Sequence, residues 1–265
     1  MTLLTVKDLE ESNRAIAQLH DYCLDIAGMT PYEIGCRAFG LSPLPLAARE
    51  QIKVACIPVT AGGGILGDFC HIVAETVEVL AGAQAHVTDG CDVTGFEEAL
   101  LNKADIVFMA DDETFIAYNT HTSVLSDNSD ATGRMFAALL DCACGGLDDE
   151  VLVLGTGKVG TGACQYLRHQ GAVVKWFDIK SGAPSCFDLA DETPGWNERS
   201  WNYIVDATTA AHLIGPQNVT DTSIVSAPGV PFGVAPDAVQ KARLVIHDNL
   251  ALGVIAMFCQ AAGSL

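Results

Sequence analysis

The chain has 265 residues, of which 49% are hydrophobic, so it can bury the core of one or two packed domains. Its 33 acidic and 14 basic side chains give a formal net charge of −19, which argues against nucleic-acid and anionic-membrane partners. The acidity suits a cationic small substrate, and it is equally consistent with a surface that only serves solubility.

The amino-terminal segment has a helical pattern. A capping-box-like start at residues 5–8 is followed at helical spacing by Leu9, Ile16, Leu19, Cys23 and Ile26. Gly28 and Pro31 interrupt this pattern. A second short helix is predicted over residues 32–39, and a linker with two prolines follows it.

Two α/β series follow the linker. Strand-like runs at residues 53–59, 85–88 and 105–110 alternate with helical segments at 69–80 and 95–101, which predicts parallel strands joined by crossovers. A long apolar helix over residues 131–144 leads to the second series, with strands near residues 151–154, 173–177, 203–206, 224–226 and 244–246. The last helix, residues 250–262, is expected to return to the first lobe.

The predicted fold class is therefore α/β with two lobes. Residues 1–146 form a helical segment and a small α/β substrate lobe, and residues 147–265 form a Rossmann-type NAD-binding domain with a parallel sheet. The ten cysteines lie mostly in apolar segments without a Cys-x-x-Cys pair. We expect them to be reduced in a soluble, cytoplasmic protein, and we predict no metal site.

The segment VLVLGTGKVG, residues 151–160, places Gly155-x-Gly157-x-x-Gly160 between an apolar strand and a helix. These glycines permit a tight turn, close approach of a pyrophosphate and close helix–strand packing. The helix amino terminus, with Lys158 and Val159, supplies free N–H groups to the phosphates. The sequence therefore predicts a dinucleotide site.

Asp178 ends the next strand, about 20 residues further on, where a carboxylate accepts a hydrogen bond from the ribose 2′-hydroxyl. A carboxylate there disfavours a 2′-phosphate, so NAD is preferred over NADP, although Lys180 weakens that preference. Thr208 and Pro228 follow later strand ends. They are either cofactor contacts or ordinary turn residues.

Two features of the first lobe have open interpretations. The glycine loop in IPVTAGGGILGDF, residues 57–69, is either a substrate loop or a simple turn, since it lacks the lysine of a phosphate-binding P-loop. Asp111 and Asp112, in MADDETFIAYN, follow the third strand. They are either caps and solvated groups, or one faces the cleft while the other caps a helix containing Phe115 and Ile116.

These motifs, together with SAPGVPFGV and NLALGVIAMF, resemble the pyrrolysine synthase family of dehydrogenases essentially from end to end. The first-lobe glycine loop and MADDETF are the specific part of the resemblance. Ala61 stands where the family pattern has serine, and His247-Asp-Asn-Leu250 replaces a Glu-Pro-Leu type of turn. These departures affect individual contacts.

The resemblance implies NAD-dependent oxidation of the terminal amine of 3-methyl-D-ornithine linked to the ε-nitrogen of L-lysine, followed by ring closure. By position it implies that Asp111 accepts the amine proton, with its pKa raised in a closed cleft, and that Asp112 has a structural role. Leu4, Thr60 and Phe69 are then substrate contacts. The expected partners are this small cationic, dipeptide-like substrate and a second subunit, since a homodimer is typical of such folds.

Two alternatives remain. One is another two-lobed NAD(P) enzyme of the shikimate- or methylenetetrahydrofolate-dehydrogenase type, whose chemistry uses a lysine; Lys53 and Lys103 are the candidates. The other is a non-enzymatic NAD-sensing regulator, which needs a partner surface or a basic module.

Overall fold

A computed structural model describes residues 6–147, 149–180, 182 and 184–263, with the side chains of the first helix described from residue 16 onward. Nine α-helices occur in these ranges: α1 (Val6–Ala27), α2 (Pro31–Ala38), α3 (Leu46–Arg49), α4 (Phe69–Thr76), α5 (Asp92–Leu101), α6 (Asn128–Cys144), α7 (Lys158–His169), α8 (Pro236–Lys241) and α9 (Ala251–Ala262). A π-helical turn, Val77–Ala81, continues α4. None of the helices described is long and apolar enough to cross a membrane.

The first sheet has the strand order β2-β1-β3-β4-β5. Its strands are β1 (Lys53–Ile57), β2 (Gln84–Val87), β3 (Ile106–Ala110), β4 (Phe115–Asn119) and β5 (Leu125–Asp127). The first three strands are parallel, as predicted, with crossovers through α4 and α5. β4 and β5 are antiparallel additions.

The predicted helix containing Phe115 and Ile116 is wrong, because these residues form β4. Along this strand Phe115, Ala117 and Asn119 are buried, while the residues between them are only half-buried. That alternation has the period of a strand with one face on the core. A tight turn at residues 111–114 pairs β4 with β3, from Ala110 opposite Phe115 to Ile106 opposite Asn119.

The second sheet is entirely parallel and has the order β10-β9-β8-β6-β7. Its strands are β6 (Glu150–Leu154), β7 (Val173–Phe177), β8 (Tyr203–Asp206), β9 (Ile224–Ser226) and β10 (Leu244–Ile246). All five were predicted to within one residue. The three inner strands β6, β8 and β9 have buried centres, which explains why they appear in the sequence as short apolar runs, whereas the edge strands β7 and β10 are only partly buried.

Helices α2, α6 and α9 pack together between the sheets. α9 is buried on all sides and also packs against β4 and β5, and the Asn119 side chain donates to the carbonyl of Ala261 at 2.8 Å. The apolar core is continuous from the first sheet through these helices to the second. α6 starts where Asp127 Oδ1 accepts from the backbone of Ser129 and Asp130.

A polar cluster around the buried carboxylate of Asp141 ties three helices together. Arg37 of α2 donates to Asp141 of α6 at 2.9 Å, and Tyr166 of α7 donates to the same carboxylate oxygen at 2.8 Å. Helices α6 and α7 also cross closely, because a Cβ at Gly133 would collide with the carbonyl oxygen of Val159. The glycine-rich turn before α7 is thus held against a helix that packs on both lobes.

Candidate active site between the two sheets

A cavity of about 450 Å³ lies where the carboxyl ends of both sheets meet. Open α/β sheets bind ligands at this edge. The first lobe contributes aromatic side chains, the start of α6 contributes polar groups, and the second sheet contributes its loops, including the one that leads into α9. The lining residues are Phe69, Phe115, Asn128, Ser129, Thr132, Phe136, Gly157, Lys158, Val159, Lys180, Ala207, Thr208, Thr209, Pro228, Gly229, Asp248, Asn249, Leu250 and Gly253.

The glycine-rich turn has the form that a dinucleotide requires. Gly155 has φ +86°, and a Cβ there would lie 2.8 Å from the carbonyl oxygen of Ala207. Gly157 is the N-cap of α7 and its Cα faces open space, so a phosphate can approach the backbone. Lys158 and Val159 line the cavity beside it, while Gly160 packs under the turn against Gly155. These residues fit a pyrophosphate.

Asp178 stands directly after β7 and faces this turn. Its Oδ2 accepts from the backbone and hydroxyl of Thr156 at 2.7 and 2.9 Å, and its Oδ1 accepts from the backbone of Lys180 at 2.9 Å. Partial burial acts to raise the pKa of Asp178, but these hydrogen bonds outweigh it and hold the pKa below its ordinary value. The carboxylate is charged and fixed in position. Lys180 lines the cavity next to it.

Thr208 and Pro228 both line the cavity, at the ends of β8 and β9. The loop at Thr208 is held by Asp206, whose Oδ1 accepts from the backbone and hydroxyl of Thr208 at 3.1 and 2.7 Å. Among the described residues, no group donates to Asp206 Oδ2, which is buried. Burial therefore raises the pKa of Asp206 to about 6.

Asp111 and Asp112 have roles that differ from the predicted helix cap. Asp111 Oδ1 accepts from the backbone of Glu113 and Thr114 at 2.8 and 2.7 Å, which closes the turn between β3 and β4. Asp112 Oδ2 accepts from the backbone of Gly63 at 2.7 Å and so holds the glycine loop. The cap prediction for Asp112 is wrong, since no helix begins at this turn.

Asp111 is exposed, and the two backbone N–H groups lower its pKa. The predicted increase in its pKa requires a closed cleft, whereas the exposed Asp111 of this structure has a lowered pKa. Here Asp111 is a charged carboxylate at the open edge of the first lobe. In that form it attracts a cation.

The first half of the glycine loop is anchored at two points. The backbone and hydroxyl of Thr60 donate to the two oxygens of Asp92, and Asp112 holds Gly63. The hydroxyl of Thr60 is therefore committed to Asp92, and Thr60 does not line the main cavity. Leu4 lies outside the described residues.

Phe69 connects the two parts of the first-lobe site. It lines the main cavity beside Phe115, whose ring is 5.2 Å away in an edge-on arrangement. Phe69 also lines a smaller cavity that includes Asp111. The structure thus brings Phe69, the glycine-rich turn, Thr208 and Pro228 to one cavity, with Asp111 adjoining it.

Several polar groups that line the main cavity were not predicted from the sequence. Asp248 follows β10, and its Oδ2 accepts from the backbone of Leu250 and Leu252 at 3.0 and 2.9 Å, at the start of α9. Burial raises the pKa of Asp248 despite these hydrogen bonds. Asp248 could have been identified from the sequence. It follows a predicted strand, and open α/β sheets bind ligands at the carboxyl ends of their strands. Asn128, Ser129 and Thr132 lie in the first two turns of α6, and no motif marks them.

The positions of Lys53 and Lys103 do not support the alternative of a shikimate- or methylenetetrahydrofolate-dehydrogenase type of enzyme, whose chemistry uses a lysine. Lys53 begins β1 and Lys103 precedes β3, so both lie at the amino-terminal edge of the sheet. The cavity is at the opposite edge. Lys158 and Lys180, which do line the cavity, belong to the dinucleotide side.

Comparison of structures gives the class of protein. Quinate dehydrogenase from Corynebacterium glutamicum, solved in complex with NAD, superimposes with a TM-score of 0.53 at 14% identity, covering 80% of this chain and 94% of that protein. The fold and the position of the cavity define a two-lobed protein with the Rossmann-like dehydrogenase fold.

Comparison of sequences gives the family. The family model for the amino-terminal domain of the pyrrolysine biosynthesis protein PylD matches residues 2–126. The pyrrolysine synthase of Methanosarcina acetivorans is 31% identical, over 97% of this chain and 98% of that protein. That of Methanosarcina barkeri is 28% identical, over 97% of each. The chain belongs to the pyrrolysine synthase family.

Proposed function

We propose that this protein is an NAD-dependent dehydrogenase that oxidises the terminal amine of 3-methyl-D-ornithine linked through its carboxyl group to the ε-nitrogen of L-lysine. The observation that carries the proposal is the arrangement of the cavity. The dinucleotide turn lines one cavity, the exposed Asp111 of the family's MADDETF segment lines a second one, and Phe69 lines both. Family membership supports the same reaction.

A nicotinamide cofactor fits the second lobe. Gly155, Gly157 and Gly160, with Lys158 and Val159, are positioned for the pyrophosphate, and Thr208 and Pro228 for the nicotinamide side. The bound cofactor supplies the hydride acceptor. The charged Asp178 favours NAD over NADP, because a 2′-phosphate beside it would place two anions together.

The charge of the site suits an amine substrate. Asp111 and Asp112 carry negative charge at the open edge of the first lobe, and Asp248 adds a carboxyl group inside the cavity. The chain as a whole carries a net charge of −19, which attracts a cation over longer distances.

Asp111 has the chemistry to hold the ammonium and remove its proton. A C–H bond next to nitrogen releases hydride only when the nitrogen lone pair is free, so the ammonium must first lose a proton. A carboxylate with a low pKa is a weak base for an amine with a pKa near ~10. When substrate covers the carboxylate and excludes water, the pKa of the ammonium falls and that of Asp111 rises, which makes the transfer feasible.

Oxidation, hydrolysis and ring closure then follow in order. Loss of hydride from carbon and of a proton from nitrogen leaves an imine on the substrate. Water adds to this imine and ammonia leaves, giving an aldehyde. The α-amine of the ornithine moiety then condenses with the aldehyde, releases water and closes the five-membered ring.

The direct test is NADH formation from the synthetic lysine-linked dipeptide, with the cyclic product identified by mass spectrometry. We expect NADH and the ring product in equal amounts, and no NADH from shikimate or methylenetetrahydrofolate. NADH formation from either of those, with none from the dipeptide, would refute the proposal. Binding of NAD without turnover of any of the three would favour a sensing role.

A further inference from the structure

A second cavity, of about 80 Å³, adjoins the main one. Its walls include Val59, Ile65, Leu66, Phe69 and Cys70, and Asp111 stands on its exposed side; we call it the side pouch. Phe69 lines both cavities, so the side pouch and Asp111 lie next to the main cavity.

The walls of the side pouch are apolar. Ile65 is 52% exposed and Leu66 is 37% exposed, although large apolar side chains gain free energy from burial. They follow the part of the glycine loop that Asp92 and Asp112 anchor through hydrogen bonds to Thr60 and Gly63. Partial burial raises the pKa of Cys70 to about 11, so its thiol is neutral and acts as an apolar wall.

The size of the side pouch limits its occupant. An engineered cavity of about 150 Å³ holds a benzene ring. About half of that volume holds a methyl group and its neighbouring carbon, and is too small for a ring or a long side chain. The adjacent carboxylate repels an anion and attracts an ammonium. The side pouch therefore fits a short alkyl branch close to a cationic nitrogen.

We propose that the side pouch is the subsite for the methyl branch of the ornithine moiety, so that Ile65, Leu66 and Cys70 determine specificity for the methylated substrate. This inference rests on the proposed function. In that substrate a single methylene separates the methyl-bearing carbon from the carbon that bears the reacting amine. With the ammonium at Asp111, the methyl group is within reach of the side pouch.

The test compares the methylated dipeptide with the same dipeptide lacking the methyl group, by kcat/KM and by the dissociation constant of each. One methyl group in an apolar pocket changes kcat/KM by roughly 10- to 200-fold, and a partly open pouch belongs at the low end, so we expect native protein to prefer the methylated substrate about tenfold. Leu66→Ala removes a wall and should reduce that preference to about threefold or less. Cys70→Leu fills the pouch and should abolish or invert it.

Leu101→Ala is the matched control, because Leu101 is 76% exposed and lies on α5 away from both cavities. It should keep the native preference. Circular dichroism and thermal melting confirm that each variant is folded. If native protein shows no preference, or if both folded pouch variants keep the native ratio, the subsite assignment is wrong while the proposed function stands. If neither dipeptide yields NADH with native protein, the proposed function fails and the subsite assignment fails with it.

Discussion

Replacing Asp111 by asparagine removes the charge of this side chain and preserves the turn that it closes. Asp111 Oδ1 accepts from the backbone of Glu113 and Thr114 at 2.8 and 2.7 Å, and an asparagine amide has an oxygen that can accept the same two bonds. We therefore expect Asp111→Asn to fold normally. Any loss of turnover then reports the charge and basicity of the carboxylate.

The size of that loss follows from the protonation of the substrate. At pH 7 only about one in a thousand molecules of an amine with a pKa near ~10 has a free lone pair. Without a base, the variant must use this fraction, so kcat should fall by roughly two to four orders of magnitude. Residual activity should rise by about tenfold per pH unit towards pH ~10. The native pKa of Asp111 is lowered, so its carboxylate form is present throughout the neutral range.

The assay is initial-rate NADH absorbance with the dipeptide, at a series of pH values from neutral to alkaline. Glu113→Gln removes one neighbouring exposed charge and should leave both kcat and the pH profile unchanged. Asp112→Ala should mainly raise KM, because it removes the acceptor that holds the glycine loop through the backbone of Gly63. A folded Asp111→Asn variant with near-native kcat, or with the native pH dependence, would refute the assignment of Asp111 as base.

Three further changes test other parts of the site. Asp178→Ser should weaken NAD binding and raise the use of NADP relative to NAD by roughly tenfold or more; equal KM values for both cofactors in native protein would contradict the ribose assignment. Gly133→Ala should lower the free energy of unfolding by about 1 to 3 kcal/mol in denaturant titrations and weaken NAD binding, because the added methyl collides with the carbonyl of Val159. Unchanged stability would mean that the helices separate easily. Burial raises the pKa of Asp206 to about 6, so the native protein binds this proton more tightly than the unfolded chain does. The free energy of unfolding should therefore increase by up to roughly 3 kcal/mol as the pH falls from about 6 to about 4. Asp206→Asn should lack this gain when unfolding is measured at both pH values, and an equal gain in the variant would exclude Asp206 as its source.

Local motifs were sufficient to predict the second sheet and its glycine-rich turn. The signal of each buried strand is a short apolar run followed by polar or glycine residues, and every residue that forms the turn lies between Gly155 and Gly160. In such a motif, strand, turn and helix are contiguous, so the local sequence is enough to determine the conformation of the turn. The same holds for α6, which runs from a capping aspartate to Gly145, where φ is +79°.

The β3–β4 hairpin was not predictable in the same way. The segment from Phe115 to Asn119 is only five residues long, and so short an apolar pattern does not separate a strand from a helix. It is a strand because β3 offers an unpaired edge and because Asp111 closes a turn of the right length. The roles of Asp111 and Asp112 depend on that pairing, which is why the predicted cap on Asp112 was wrong.

The α/β class, the dinucleotide turn and the family can be recognised from the amino-acid sequence, since each depends on residues that are neighbours in the chain. Which distant residues share a cavity depends on how the chain packs. Asp248 meets Asn128 and Thr132 because α9 packs against α6, and Phe69 adjoins Asp111 because β1 and β3 are neighbours in one sheet. Packing of a continuous apolar core sets these distances, and the spacing of residues along the chain carries no record of them.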